Sequence, residues 1–167
     1  GNGYAINAVI GRREVMEAAQ SSFISSTFWT ERIGPTAALK TLEVMEKLKS
    51  WEKITTTGHQ IRKGWLQLAE KYGLDVELWG LPALSGFTIK STHALAYKTL
   101  ITQEMLDKGY LAANTVYVCT EHTPDIVDGY FSALDPIFGL ISSCEEGRDV
   151  TTLLKGPVCH AGFKRLN

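Results

Sequence analysis

The chain has no basic run, no apolar stretch of membrane-spanning length and no recognisable signal peptide. Its formal net charge is −1. A near-neutral surface without a basic patch argues against nucleic acid as a main partner. The absence of a long apolar segment argues against a membrane. Cysteine is scarce: Cys119, Cys144 and Cys159 are three in number and far apart. An odd, widely spaced set suits neither a disulfide framework nor a zinc site, and fits reduced thiols in a cytoplasmic protein. There is no Walker-type loop and no Ser-His-Asp arrangement. His59, His93, His122 and His160 lack metal-ligand spacing. No internal repeat or low-complexity segment is present, and no initiator Met precedes Gly1.

What remains is an ordinary globular composition, 44% hydrophobic and 21% charged over 167 residues, enough for one domain or one and a piece. Residues 5–10 form a short apolar run closed by Gly11, which predicts a strand, and 13–20 predict a short helix. From Thr36 the residues Ala38, Leu42, Met45 and Leu48 recur at helical spacing. A second series, Trp51, Ile54, Gly58, Ile61, Trp65, Leu68 and Tyr72, steps by three and four and places two tryptophans on one stripe. Together they predict a long helix or kinked pair over 36–72, closed by Gly73, with a domain crossing near Ser50. Beyond it the pattern mixes. Strands are predicted at 76–79 and 86–91, joined through Gly80-Leu81-Pro82, and at 114–120. Helices are predicted at 92–108 and 125–146. Thr123 is the expected cap of the second, and Pro136 its expected kink. Cys119 reads as a small core residue. This order indicates a small α+β domain with a mostly antiparallel sheet.

The densest segment chemically is Ser25-Ser26-Thr27-Phe28-Trp29-Thr30-Glu31-Arg32-Ile33-Gly34-Pro35, running into Thr36-Ala37-Ala38-Leu39. Pro35 marks a helix start, and hydroxyls just ahead of it can cap free amides or help hold an anion there. Taken by itself this is a capped helix. The other distinctive segments are Gly1-Asn2-Gly3-Tyr4, leading to Gly11-Arg12-Arg13-Glu14, and the tail from Gly156-Pro157-Val158-Cys159-His160 to Gly162-Phe163-Lys164-Arg165-Leu166.

Together these segments resemble the class III, pyridoxal-phosphate-dependent aminotransferases of fold type I, in particular the branch around glutamate-1-semialdehyde aminomutase. The resemblance implies an α/β protein overall. Residues 1–50 would end the cofactor-binding large domain, and 51–167 would form a small C-terminal α+β domain with a mostly antiparallel three-stranded sheet. It implies pyridoxal phosphate as cofactor in the complete enzyme, small-molecule amino donors and acceptors, and a homodimer with its active site at the subunit interface. A loop threonine would bind the cofactor phosphate across that interface. Counting back from Pro35 favours Thr30, while matching the Thr-aromatic pair favours Thr27. The Schiff-base lysine would lie just ahead of Gly1, so no catalytic residue is assigned, and the chain alone is expected not to transaminate. Lys40, Lys47, Lys49 and Lys53 sit on the charged side of a predicted helix and do not qualify. Trp29 is a candidate pocket wall and Arg165 a candidate partner for a substrate carboxylate. The longer Thr27-to-Pro35 loop leans toward a transaminase over an aminomutase. A non-catalytic dimerisation or ligand-binding domain is the reading from another class.

Overall fold

The computed structural model describes residues 2–23 and 27–162, so the tail residue Arg165 lies outside the described residues. The chain divides into two compact units, Gly1–Ser50 and Trp51–Asn167.

The first unit opens with a tight turn, Asn2 (φ 48°) and Gly3 (φ 102°), the backbone form that an Asn-Gly pair tolerates. Residues 5–10 are irregular, which corrects the expected strand. A strand needs a neighbour for its outward amides, and no sheet partner lies beside this run among the described residues. Helix α1 (Arg13–Met16) is one turn long, continues as a 3₁₀ segment to Ser21, and buries no residue. Helix α2 (Ile33–Leu48) starts before Thr36, with Pro35 inside its first turn. It buries only Gly34 and ends where Lys49 turns left-handed (φ 47°).

The second unit carries the hydrophobic core. Helix α3 (Ser50–Tyr72) presents the predicted stripe, and Ile61, Trp65 and Leu68 are buried along it. The first tryptophan of that series, Trp51, stays 48% exposed. Gly73 (φ 66°) closes the helix: its N–H donates to Glu70 O and that of Leu74 to Ala69 O. Strand β1 (Val76–Leu81) pairs antiparallel with β2 (Leu84–Ile89), and β2 pairs antiparallel with β3 (Thr115–Tyr117), giving the order β1-β2-β3. The hairpin turns on Pro82-Ala83, at the end of the expected Gly80-Leu81-Pro82 connection, whose first two residues remain in β1. Helix α4 (Ala94–Asp107) joins β2 to β3, and α5 (Pro124–Glu145) follows.

α5 continues through Pro136 as one helix, and Thr123 precedes it without a side-chain cap. Cys119 is exposed, not a core residue as expected, because β3 is short and ends before it. Trp65 of α3, Phe87 of β2 and Phe138 of α5 stack in sequence, with ring centroids 4.9 and 5.7 Å apart. All three are essentially solvent-free and tie two helices to the middle strand. The observed fold is thus the mixed α/β arrangement expected, with the antiparallel three-stranded sheet in the second unit.

Candidate functional site

The distinctive segments of the first unit meet at Gly34. A β-carbon there would stand 2.9 Å from the carbonyl oxygen of Ala5 and 3.3 Å from Cβ of Ile6. The irregular run after the Asn2-Gly3 turn therefore passes directly against the first turn of α2. A side chain at position 34 would push it away. This contact explains why a glycine is buried one residue before Pro35.

The loop ahead of α2 is built around Glu31. Its backbone N–H donates to Phe28 O at 2.8 Å, forming a turn in which Trp29 takes a left-handed backbone (φ 38°). Its carboxylate then folds forward onto the helix start. One oxygen accepts from the Ile33 amide, and the other from the Gly34 amide at 3.3 Å. A carboxylate in that place satisfies amides that have no intrahelical partner and meets the positive end of the helix dipole.

This arrangement revises the hydroxyl-based expectation. Thr27 and Thr30 are exposed loop residues, and neither caps α2; the acid two residues ahead of Ile33 does. The sequence signal for this cap is a glutamate just before a Gly-Pro helix start. Trp29 is 81% exposed and Phe28 56% exposed, so the loop offers an aromatic pair and two hydroxyls together.

Glu31 demonstrates that the helix start attracts an anion, yet it also occupies the Ile33 and Gly34 amides. The exposed side-chain donors of the loop include the Thr27 and Thr30 hydroxyls and the Arg32 guanidinium. Hydroxyl and guanidinium donors suit the oxygens of an external phosphate chemically, while the amides of Ile33 and Gly34 are already used.

Lys40 pairs with Glu43 at 2.7 Å on an exposed face. His122 Nδ1 accepts from the Cys119 amide at 3.3 Å, and the His93 ring lies 6.0 Å from that of Tyr97. No group of histidine, cysteine, aspartate or glutamate suited to a metal ion is found among the described residues. Among them, too, no helix is long and apolar enough to cross a membrane.

Comparison with known proteins gives these features a context. The chain is 31% identical over 133 residues to 3-aminobutyryl-CoA aminotransferase of Cloacimonas acidaminovorans (strain Evry), covering 74% of this chain and 31% of that protein. It is 22% identical over 152 residues to glutamate-1-semialdehyde 2,1-aminomutase of Methanosphaera stadtmanae, covering 81% of this chain and 36% of that protein. Its fold is similar to the pyridoxal phosphate internal-aldimine form of the FumI protein of Sphingopyxis sp. MTA144. That superposition has a TM-score of 0.72 at 18% identity and covers 87% of this chain and 36% of the other. No family model matches the chain. The chain is homologous to part of the class III pyridoxal-phosphate-dependent aminotransferases. It spans about a third of the length of the relatives it matches.

Proposed function

We propose that this chain is the C-terminal part of a pyridoxal-phosphate-dependent transaminase that moves an amino group from a donor to a keto or aldehyde acceptor. Residues 1–50 complete the cofactor-binding domain, and 51–167 form the small domain. The observation that carries the reading is the contact at Gly34: it joins the segment behind the Asn2-Gly3 turn to the loop bearing Thr27 and Thr30.

Bound pyridoxal phosphate supplies an electron sink at the carbon that carries the amino group. This chain's share is to bind and to shape. Thr27 donates its hydroxyl to the phosphate, and Thr30 is the alternative donor. Glu31 holds the helix start and so fixes the height of the loop. Trp29 and Phe28 form an apolar rim that keeps water from the pocket. The loop serves the cofactor of a neighbouring subunit in a homodimer, so that each pocket is completed by two chains. The three unpaired cysteines suit a cytoplasmic setting. An aminomutase acting on glutamate-1-semialdehyde is the runner-up. The higher identity to a transaminase, 31% against 22%, supports the transaminase reading.

An amino-donor screen on an aminotransferase-length form of the protein tests this. The expected result is amino transfer that requires a separate acceptor, while the 167-residue chain alone shows no turnover and no cofactor fixed by borohydride. Isomerisation without an acceptor would favour the aminomutase. No turnover with any donor, together with no cofactor binding, would leave the non-catalytic domain as the better account.

A further inference from the structure

The tail that stands out in the sequence, from Gly156 onward, is tied down by a single face of α4. Leu95, Thr99, Gln103 and Asp107 follow one another at intervals of four and so form one row along the helix. A 3₁₀ turn over Val150–Leu153, anchored in the core by Val150, brings the chain to that row. The side-chain amide of Gln103 then spans Leu154. Its Nε2 donates to Leu153 O at 2.9 Å, and its Oε1 accepts from the Lys155 amide at 2.7 Å. A residue of a neighbouring parallel strand would make the same pair of bonds. The Lys155 ammonium pairs with the Asp107 carboxylate. Further on, the Cys159 amide donates to Thr99 Oγ1 at 3.0 Å, and that hydroxyl donates to Leu95 O at 2.8 Å.

The segment therefore runs against the direction of α4 and is held at two points. Four helical residues rise about 6 Å while four extended ones span about 13 Å, so the chain bends between Gln103 and Thr99. The bend falls at Lys155-Gly156, just ahead of Pro157. Leu153 and Leu154 are half-buried against the core, but Lys155 to Val158 are exposed and Cys159 is only half-buried. Beyond Leu154 the hold is thus hydrogen bonds and one exposed ion pair, with no buried apolar anchor. Segments held in that way open at lower free energy than the core that carries them.

We infer that residues 155–159 are a strap with two positions, latched along α4 by Gln103 and Thr99 or released as a unit while the core stays folded. Closure sets the path by which the chain from His160 onward leaves the second unit. Release frees that tail and uncovers the α4 row. Both latches stand on one rigid helix with a bend between them, so loss of either loosens both ends. Gln103 and Thr99 are positioning residues for the tail. All of these contacts lie within the second unit, so the strap stands whether or not the chain serves an aminotransferase.

Amide exchange read residue by residue in the 167-residue chain, at several low urea concentrations, tests it. The Lys155 and Cys159 amides should be protected to the same degree. They should still exchange about a hundredfold faster than those of Leu100 and Ile141, without responding to urea. Thr99→Val removes the acceptor of Cys159 alone, yet should speed Lys155 exchange about tenfold as well, and Gln103→Ala should do the same for Cys159. Strap amides with no protection, or with the core's rate and urea response, overturn the proposal. A variant that speeds only the amide it strips overturns it too. Trypsin cleavage after Lys155 carries the test to the aminotransferase-length protein: Gln103→Ala should be cut there faster than the parent, and equal rates would contradict the latch.

Discussion

The carbonyl oxygen of Pro82 lies 2.0 Å from where a β-carbon on Gly58 would stand, so α3 and the β1–β2 turn touch through bare backbone. One turn further along the helix, Arg62 Nη1 reaches the Trp79 and Gly80 carbonyls and Ser85 Oγ at 3.2, 3.1 and 3.0 Å. The glycine sets the approach and the arginine holds the hairpin. Backbone cannot step aside as a side-chain tip can. Gly58→Ala is therefore expected to destabilise the protein by about 1–3 kcal/mol, even though alanine is the better helix former. Urea denaturation followed by circular dichroism reads this directly, and an unchanged midpoint would contradict the close contact.

Tyr130 and Trp65 make a second such pair. The indole N–H of Trp65 donates to the Tyr130 hydroxyl at 2.9 Å, and Trp65 has no solvent-exposed surface. Tyr130→Phe strands that donor at a cost of about 1–3 kcal/mol. A Trp65→Phe, Tyr130→Phe double variant removes both polar groups and should lose less than the two single losses added. Additive losses in the thermodynamic cycle would show that the bond contributes nothing.

Stability should fall at both ends of the pH range. Hydrogen bonds from Lys71 hold Asp135 below its ordinary 3.8; the Tyr97 hydroxyl does the same for Glu145, and the Thr151 amide for Asp149. A depressed carboxylate contributes above its unfolded value and loses that contribution as pH falls through the folded one, so the acid loss begins near pH 4. Burial pushes Tyr130 up from 10.0 to about 12. Its contribution is whole below 10.0 and disappears as pH rises toward 12. Denaturation midpoints across pH should show a plateau between these limits, and the alkaline loss should shrink in Tyr130→Phe.

Glu31 should govern the start of α2. Glu31→Ala releases the Ile33 and Gly34 amides and is expected to cost the local helix about 0.5–2 kcal/mol. Faster exchange of those two amides, with the second unit unaffected, is the predicted signature. Unchanged exchange would mean that the carboxylate does not cap the helix in solution.

The second unit was legible in the sequence because its signals are local and redundant. The stripe through Ile61, Trp65 and Leu68 defines α3, and turn residues bracket the strands. Residues 5–10 misled because an apolar run says nothing about whether a neighbouring strand exists. The Thr123 cap and the core placement of Cys119 failed for a related reason: each depended on tertiary placement that spacing does not carry. At the candidate site the sequence located the loop and both threonines. It missed that an acid would fold back onto the helix start, since a glutamate before a Gly-Pro pair reads equally as half of an ion pair with Arg32. It also missed the Gly34 contact, because closeness between residues 5 and 34 leaves no periodic trace.

The central claim is that the loop ahead of α2 grips a cofactor phosphate through a threonine hydroxyl. Titration of pyridoxal phosphate into the aminotransferase-length protein and its Thr27→Ala and Thr30→Ala variants tests it most directly. Losing a hydrogen bond to a charged group costs about 1.5–3 kcal/mol, so Thr27→Ala should weaken binding by roughly 10- to 150-fold while Thr30→Ala leaves it nearly unchanged. The reverse pattern would move the role to Thr30, and unchanged affinity in both variants would contradict the account.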